Sequence, residues 1–263
     1  IATVFSIGMS YSESIATNLV RMEGSVSHMG FANPTAEQLA ELSKLDYVKF
    51  IGLAAHVAQT DDVPKLNKLD IAYVDQTQWQ EMFCPAFTNV IGHYAKVENE
   101  VMLSRYILEA MGISQPKIGM QIPLSFVVRG TEETRTELFT LSCIYTGYGH
   151  SRPYGFIAIF ISEAFAQKYG KTSIDNLMVN VIFKNAKNIG ANIERLKGDL
   201  AFHDKQNWAQ SAAFADFHGN ATTYIALLLV IMFLMLTGYL LIYNVMYISV
   251  SKDVRFYGML KAL

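Results

Sequence analysis

The longest apolar run of the chain lies near its end. No charged residue occurs from Gly219 to Ser251, and the centre of this run, from Ile225 to Leu236, reads IALLLVIMFLML. A helix needs about 20 apolar residues to cross the hydrocarbon core of a bilayer. The alternative is a buried helix in a large soluble core, but a buried helix of this length normally contains a charge or a break. The pattern therefore predicts a membrane-spanning helix over residues 219–250.

The residues on the two sides of this run differ in charge. Lys252, Arg255 and Lys261 follow it with one acidic residue among them. It is preceded by Asp216 and His218 and, further back, by Asp204 and Lys205. Basic residues accumulate on the cytoplasmic side of membrane helices. We therefore expect the last segment, residues 251–263, to be cytosolic, and the residues before about 218 to lie outside the cell.

A second, shorter apolar stretch opens the chain. Residues 1–12 begin without Met or a basic region and contain no clear cleavage site, so they fit a signal peptide poorly. They fit the outer end of a first membrane helix. The expected organisation is a multi-pass membrane protein whose residues 13–218 form an extracellular domain between two helices.

Amphipathic helices are predicted within this domain. One follows Thr35, whose side chain is expected to cap it while Gln38 completes a capping box. Another is predicted over residues 98–113, where Gly112 ends the apolar periodicity. Two shorter helical patterns lie at residues 162–170 and 188–200.

Strand patterns occur between these helices. β-Branched or alternating runs bounded by turn residues predict strands. They cover residues 47–59, 69–76, 119–130, 136–149, 154–162 and 176–184. Because helices and strands follow no regular βαβ order, the domain is predicted to be α+β, flanked by transmembrane α-helices.

Composition narrows the function classes. Charged residues make up 17% of the 263-residue chain, hydrophobic residues make up 51%, and the mean hydropathy is +0.22. Soluble domains carry about 25% charged residues, so the composition agrees with a membrane protein. The net charge of −2 gives no basic field for nucleic acid. Cys84 and Cys143 can form one disulfide or none, and their spacing does not decide.

No constellation of residues predicts a catalytic, cofactor or metal site. Gly147, Gly149 and Gly155 form a glycine-rich stretch, but a strand pattern follows it, which predicts a turn and not a phosphate-binding loop. No Walker A sequence occurs, so the chain is not expected to bind ATP itself. The six histidines lack the spacing of zinc ligands. We predict that this chain has no cofactor and is not an enzyme.

The end of the chain follows a recognisable motif. It consists of Asn244, Ser249, Arg255, Tyr257, Gly258, Leu260, Lys261 and Ala262. With this motif the chain resembles the FtsX/MacB-type ABC transporter permeases, in which such a segment follows the helix after the outer domain. Residues 4–15, 21–42 and 97–126 resemble the Gram-positive branch of that family.

The resemblance implies a domain like the MacB periplasmic core and a cytosolic ABC ATPase subunit as partner. The residues that it implies in this contact are Lys252, Arg255, Phe256, Tyr257, Gly258, Met259, Leu260 and Lys261. Apolar side chains of this segment are expected to enter a groove of the ATPase, and basic side chains are expected to meet its acidic rim. The alternative is that the basic residues only anchor the helix at the lipid headgroups.

The function that the resemblance implies is mechanical. A permease of this kind couples ATP hydrolysis in the partner to movement of its extracellular domain, in antimicrobial-peptide export or envelope maintenance. Membrane lipid and a second permease copy or half are further expected partners. A membrane-anchored receptor or adhesin without an ATPase is the alternative class. An ectoenzyme is a third class, and no sequence motif supports it. The substrate does not follow from the sequence.

Overall fold

The computed structural model describes residues 14–64, 66, 68–149, 157–203, 206–214 and 221–261, without the side chains of residues 175, 187, 221–224, 226–227, 253 and 256–261. The described residues form two units, an α+β domain within residues 14–214 and a terminal helix within residues 221–261. The predicted end of a first membrane helix, residues 1–12, lies outside the described residues.

Ten strands are found among the described residues of the α+β domain. They are β1 (Met29–Ala32), β2 (Val48–Thr60), β3 (Leu69–Val74), β4 (Thr88–Gly92), β5 (Glu100–Ser104), β6 (Gln121–Val128), β7 (Thr134–Thr146), β8 (Ala158–Ile161), β9 (Leu177–Phe183) and β10 (Trp208–Gln210). Nine of them follow one another in the order β10-β1-β9-β2-β3-β8-β5-β7-β4, and β6 pairs with β2 and β7. The strands are therefore joined in one mixed sheet.

Helices are fewer and shorter in this domain. They are α1 over residues 14–23, α2 (Ala36–Leu42), a π-helix (Gln78–Phe83), α3 (Arg105–Ala110), α4 (Glu163–Lys168) and α5 (Ile189–Asp199). Strands and helices alternate irregularly along the chain, so the predicted α+β class is confirmed.

Six strands of the sheet form a closed ring. Each pairs with the next in the order β2, β3, β8, β5, β7, β6, and β6 returns to β2 through Val128 opposite Ala58. The β3–β8 and β5–β7 pairs are parallel, and the other pairs of the ring are antiparallel. Closure leaves these strands without a free edge. This part of the domain is a small β-barrel.

Aromatic side chains fill the barrel. Phe126 of β6 and Phe139 of β7 lie against Phe165 of α4, with ring centroids 5.5 and 5.3 Å apart. At most 1% of each of the three side chains is exposed. Ser162 caps α4 by accepting a hydrogen bond from the backbone N–H of Phe165, which fixes the helix that supplies this ring.

The sheet continues beyond the barrel through β9, β1 and β10. Helices α2 and α5 pack on this extension, where Leu42 and Ile193 share a buried cluster with Phe31 and Val181. The predicted capping box of α2 is confirmed. Thr35 Oγ1 accepts a hydrogen bond from the backbone N–H of Gln38 at 3.1 Å, and the Thr35 N–H donates to Gln38 Oε1 at 3.0 Å.

The helix predicted over residues 98–113 is wrong in its first half. Residues Glu100–Ser104 form β5, between β7 and β8, and only α3 is helical. Val101 is fully buried, as are the two residues that follow it. An apolar run that is buried on both faces shows no period of two, so its pattern does not distinguish a strand from a helix. Gly112 does follow the end of the helix, with a φ of 80°.

The terminal helix, α6, runs without interruption from Ala221 to Lys261. At 1.5 Å per residue, its 41 residues measure about 60 Å. Residues Leu228–Lys252 are long and apolar enough to cross a membrane. Most apolar side chains described there are exposed, with 65% of Phe233 and 68% of Leu241 accessible. This agrees with the predicted membrane helix in length and composition.

Candidate functional site

The chain enters and leaves the α+β domain at one place. Strand β1, which follows α1, pairs antiparallel with β10, which is the last strand before the terminal helix in the sequence. Gly30 lies opposite Ala209, and the Ser211 N–H donates to the His28 carbonyl at 3.0 Å. We call this region, residues 23–32 and 207–214, the junction. In sequence it follows α1 and precedes the predicted second membrane helix.

Glu23 ties the two halves of the junction together. One of its carboxylate oxygens accepts a hydrogen bond from the Ala212 N–H at 2.7 Å, and the other accepts one from the Ser211 hydroxyl. Hydrogen bonds to a charged acceptor are about twice as strong as neutral ones. The last residue of α1 is therefore fixed to the segment that follows β10. No local sequence motif marks Glu23, because its partners lie nearly two hundred positions away.

His28 is a buried residue of the junction. Only 5% of its side chain is exposed, and Nδ1 accepts a hydrogen bond from the Phe183 N–H at 3.1 Å. Its ring meets the edge of Phe214, with centroids 4.7 Å apart. Burial lowers the pKa of His28 to about 4, because desolvation disfavours the charged imidazolium. The neutral ring thus connects β9 to the segment that precedes the terminal helix.

An open groove of about 430 Å³ adjoins the junction. Gly30 and Asn180 contribute to its lining, and a Cβ at Gly30 would lie 2.5 Å from the Asn180 Oδ1. Trp208 is at the rim of the sheet with 40% of its side chain exposed, and the Lys197 ammonium lies 4.3 Å from its ring centroid. The groove contains hydroxyl and amide groups but no arrangement of nucleophile, base and oxyanion donors among its described lining residues.

The predicted ATPase-contacting residues all fall on α6. Lys252 and Arg255 are exposed and lie three positions apart, which places them on one side of the helix. The backbone remains helical to Lys261, so the segment continues the span. The side chains of the remaining predicted contacts lie outside the described residues; these are Phe256, Tyr257, Gly258, Met259, Leu260 and Lys261. Their contact with an ATPase stays a prediction.

The predicted glycine-rich turn is described only in part. Gly147 and Gly149 line a cavity of about 20 Å³ beside Phe87 and Tyr145, whereas residues 150–156 lie outside the described part of the chain. Within the described residues, no three His, Cys, Asp or Glu side chains come together in a way that could hold a metal ion.

The two cysteines are not bridged. Cys143 is buried and Cys84 is half-buried, and both are free thiols. Burial raises the pKa of Cys84 to about 11 and that of Cys143 to about 12. Because the thiolate is the reactive form, both thiols are expected to react slowly in the folded domain.

No family model matches the chain, and no curated protein matches it. Among solved structures, the chain is similar to the periplasmic region of MacB from Actinobacillus actinomycetemcomitans, with a TM-score of 0.43 and 10% identity over 72% of this chain and 92% of that chain. It is also similar to the extracellular domain of the noncanonic ABC-type transporter YknZ from Gram-positive bacteria, with a TM-score of 0.42 and 9% identity over 70% of this chain and 100% of that chain. The first of these is a periplasmic region and the second is an extracellular domain.

Proposed function

We propose that this chain is part of the permease subunit of an FtsX/MacB-type ABC transporter in the cell membrane. In this proposal residues 1–12 end a first membrane helix and residues 13–218 form the extracellular domain. Residues 219–250 span the membrane, and residues 251–263 form the cytosolic coupling segment. ATP hydrolysis in a separate ATPase subunit moves the coupling segment, and the helix carries this movement to the domain. The role that the resemblance implies is antimicrobial-peptide export or envelope maintenance.

The observation that carries the proposal is the unbroken length of α6. A bilayer is about 40–45 Å thick with its headgroups, whereas this helix measures about 60 Å. A helix of this length extends beyond the bilayer, and its last turns hold Lys252, Arg255 and Lys261. A helix without a break can pass a push or a rotation along its axis, because bending it requires the loss of backbone hydrogen bonds. The basic end and the apolar span are therefore expected to move together as one rigid helix.

The junction supports the same mechanism at the start of α6, which follows the domain in sequence. Six residues, 215–220, separate the last described residue of the domain from the first residue of α6. A pull on the chain at Phe214 reaches β10 directly, and the Glu23 carboxylate passes it to α1. The backbone pairing of β1 with β10 then transmits the force to the rest of the sheet. In the proposed mechanism, force from both chain ends therefore reaches the same part of the domain.

The experiment that tests the proposal measures co-purification of the chain with its ATPase. Three variants change the coupling segment: Phe256→Ala, Gly258→Val and the double reversal Arg255→Glu with Lys261→Glu. A buried apolar anchor at a protein interface contributes more than about 2 kcal/mol, and an exposed charge contributes up to about 1 kcal/mol. We expect all three to reduce both ATPase capture and ATP hydrolysis linked to the permease, with Phe256→Ala the most severe.

The matched control reverses two exposed charges of the α+β domain, Lys44→Glu with Lys184→Glu. It changes the net charge by the same amount as the double reversal in the coupling segment, and it should leave ATPase capture unchanged. Equal capture by the parent and by all three coupling variants would contradict the proposal. The basic residues would then be a headgroup anchor, and a receptor without an ATPase would become the better explanation.

Orientation is tested with introduced thiols, because both native thiols are shielded. Glu132→Cys places a thiol on an exposed loop of the domain, and Val254→Cys places one on the exposed surface of α6 beyond the span. A membrane-impermeant reagent should label the first in intact cells and the second only after lysis. The reverse pattern would place the α+β domain in the cytosol and would rule out the permease topology.

A further inference from the structure

The sheet ends in a strand with a free edge. On its inner edge β4 pairs with β7, where Ile91 lies opposite Ile144, and no described strand pairs with its outer edge. The residues from Asn89 to Gly92 are all exposed. An unpaired strand edge presents N–H and C=O groups that a further strand can bind. The outer edge of β4 is therefore a place where one more strand can join the sheet.

This edge has little protection against such pairing. Native sheets usually protect an edge with charged side chains, proline or a bulge. Thr88–Gly92 contains no charge and no proline, and a bulge lies between Thr88 and Ile91. The other end of the strand order, β10, differs, because the Lys197 ammonium lies 4.3 Å from the ring centroid of its exposed Trp208. The edge of β4 is the more open of the two.

Exposed apolar side chains of the α+β domain are concentrated beside this edge. Among the described residues of the domain, four large ones lie in or next to β4: Val90, Ile91, Val97 and Ile118. The other three are spread along the chain: Leu138, Ile174 and Trp208. Scattered apolar side chains are normal on a protein surface, whereas a cluster of them marks an interaction site.

Contacts hold the neighbouring segments beside the edge. Ile118 lies against Gly92, where a Cβ would come within 2.9 Å of the Ile118 Cδ1. On the other segment, one Glu100 carboxylate oxygen accepts a hydrogen bond from the Val97 N–H at 3.2 Å. The other oxygen lies 3.7 Å from Nε2 of His93, which follows β4 directly. The exposed apolar side chains are thus placed around one end of β4.

The free charges of these segments are basic. Residues 85–97 and 114–121 contain Lys96 and Lys117, both exposed, and no acidic residue. Glu98 and Glu100 follow directly but are engaged, Glu98 with the Lys168 ammonium at 2.7 Å and Glu100 with backbone N–H groups. A second copy paired through the same edge would bring the lysines of both copies together, and like charges repel. The charge pattern therefore favours an acidic occupant that is not a second copy.

We propose that the outer edge of β4 binds an extended, acidic segment of a partner protein outside the cell. The segment joins the sheet as an additional strand through main-chain hydrogen bonds, and its apolar side chains contact those beside the edge. Acidic residues at its ends meet Lys96 and Lys117. From the proposed function this inference takes only the extracellular position of the α+β domain, and it does not involve α6 or an ATPase.

The first test measures charge selection with the full chain in lipid nanodiscs. The probe is a fluorescent ten-residue peptide in which valine and threonine alternate between pairs of glutamates, and binding is followed by anisotropy. We expect Lys96→Glu with Lys117→Glu to weaken binding about 2- to 30-fold. The control Lys44→Glu with Lys184→Glu makes the same change in net charge and should leave binding unchanged. A peptide with lysines in place of the glutamates should show the opposite preference.

The apolar contribution is tested by Ile91→Ser. Half of the Ile91 side chain is exposed, so the change reduces the contact surface with little effect on the core. We expect it to weaken binding of the acidic peptide about 3- to 10-fold. The matched control is Ile174→Ser, the same change at an exposed isoleucine that precedes β9. Unchanged circular dichroism shows that both variants are folded.

Backbone methylation tests strand addition itself. Two further peptides carry N-methyl groups on the valines only or on the threonines only, so that one edge or the other loses its N–H donors. An added strand uses one edge, so one methylated peptide should bind like the unmodified peptide and the other should not bind.

Three results would overturn the proposal. They are equal binding of the two methylated peptides, no binding of the unmodified acidic peptide, and full binding by both Ile91→Ser and the double lysine reversal. Self-association of the chain that the acidic peptide displaces would also overturn it, because a second copy would then be the occupant. ATPase capture by the coupling-segment variants is measured separately, so failure here leaves the proposed function standing.

Discussion

The α+β domain and the terminal helix contain the same kinds of side chain in opposite surroundings. In the domain, 1% of Phe126 is exposed, whereas on α6 65% of Phe233 is exposed. The domain buries its apolar side chains against its own strands and helices, and it can therefore be stable by itself in water. None of the side chains that the structure describes on the terminal helix is buried, and in the proposed topology this helix packs against lipid and neighbouring helices. The difference predicts where a substitution affects folding and where it affects assembly.

The largest expected effect comes from the barrel core. Phe126→Ala should lower the free energy of unfolding of the domain by about 3–5 kcal/mol, because it removes a ring that packs on Phe139 and Phe165. Denaturant titration followed by tryptophan fluorescence measures this, since Trp79 and Trp208, the two tryptophans of the chain, are both in the domain.

The matched substitution on the terminal helix is Phe233→Ala. It removes the same ring from a position that is 65% exposed in the structure. The fluorescence transition of the domain should be unchanged in this variant. A shift as large as that of Phe126→Ala would mean that the two units do not fold independently, and the comparison would fail.

The next largest effect tests whether the hydrogen bonds of Glu23 hold the two halves of the junction together. Glu23→Ala removes an acceptor from the Ala212 N–H and the Ser211 hydroxyl, and it should cost about 1.5–3 kcal/mol. Glu23→Gln keeps an acceptor oxygen and should cost less. As a control, Glu41→Ala breaks an exposed pair with Lys44 and should cost less than about 1 kcal/mol. If Glu23→Ala costs no more than this control, the Glu23 contacts do not hold the junction.

The pH dependence of the free energy of unfolding should show the effect of protonating His28. Its folded pKa of about 4 lies below the value of 6.5 that it has when exposed, so the unfolded chain binds the extra proton first. Stability is complete above about pH 6.5 and falls as the pH drops toward 4. Between pH 7 and 5 the loss from this group is about 2 kcal/mol. His28→Asn, which offers an acceptor oxygen and does not titrate, should flatten this part of the profile in denaturant titrations.

A control for this effect is His203→Asn, because His203 is exposed. This variant should retain the slope of the parent between pH 7 and 5. The assignment of the slope to His28 is refuted if His28→Asn and the parent lose the same stability over this interval.

The smallest effect concerns the start of α2. Thr35→Ala removes the hydroxyl that accepts from the Gln38 N–H, and the loss of such a cap costs about 1 kcal/mol. Thr35→Ser keeps the hydroxyl and should restore most of the stability in the same titration. A Thr35→Ala variant as stable as the parent would show that the capping box contributes nothing measurable here.

Local signals in the sequence account for much of the fold. The capping box after Thr35 and the glycine after α4 are short-range features, and each bounds its helix where predicted; Gly170 has a φ of 64°. The strands β2, β3, β6, β7, β8 and β9 were visible as alternating or β-branched runs. Each of these depends on residues within a few positions of one another, which is the range over which propensity and periodicity act.

The remaining features depend on distant partners. Strands β1 and β10 have four and three residues, too few to show alternation, and they are held by distant partners, β1 by β9 and β10, and β10 by β1. The junction could not be predicted from the sequence for the same reason, because Glu23 and Ser211 meet only after the sheet has formed. The proposed coupling segment is the opposite case. Its motif is local and its helix is present to Lys261, but the contacts proposed for it are with another protein.

The pairing of β1 with β10 also determines the order in which the domain can be completed. Met29 faces Gln210 across 181 positions of the chain, so the first strand of the sheet must wait for the last one to be synthesised. Pairings between such distant segments slow folding, because a long loop must close before its contacts form. Until residue 210 emerges, β1 presents an unpaired side that can bind to another strand. During synthesis this side of β1 therefore stays open to wrong pairing until the final strand arrives.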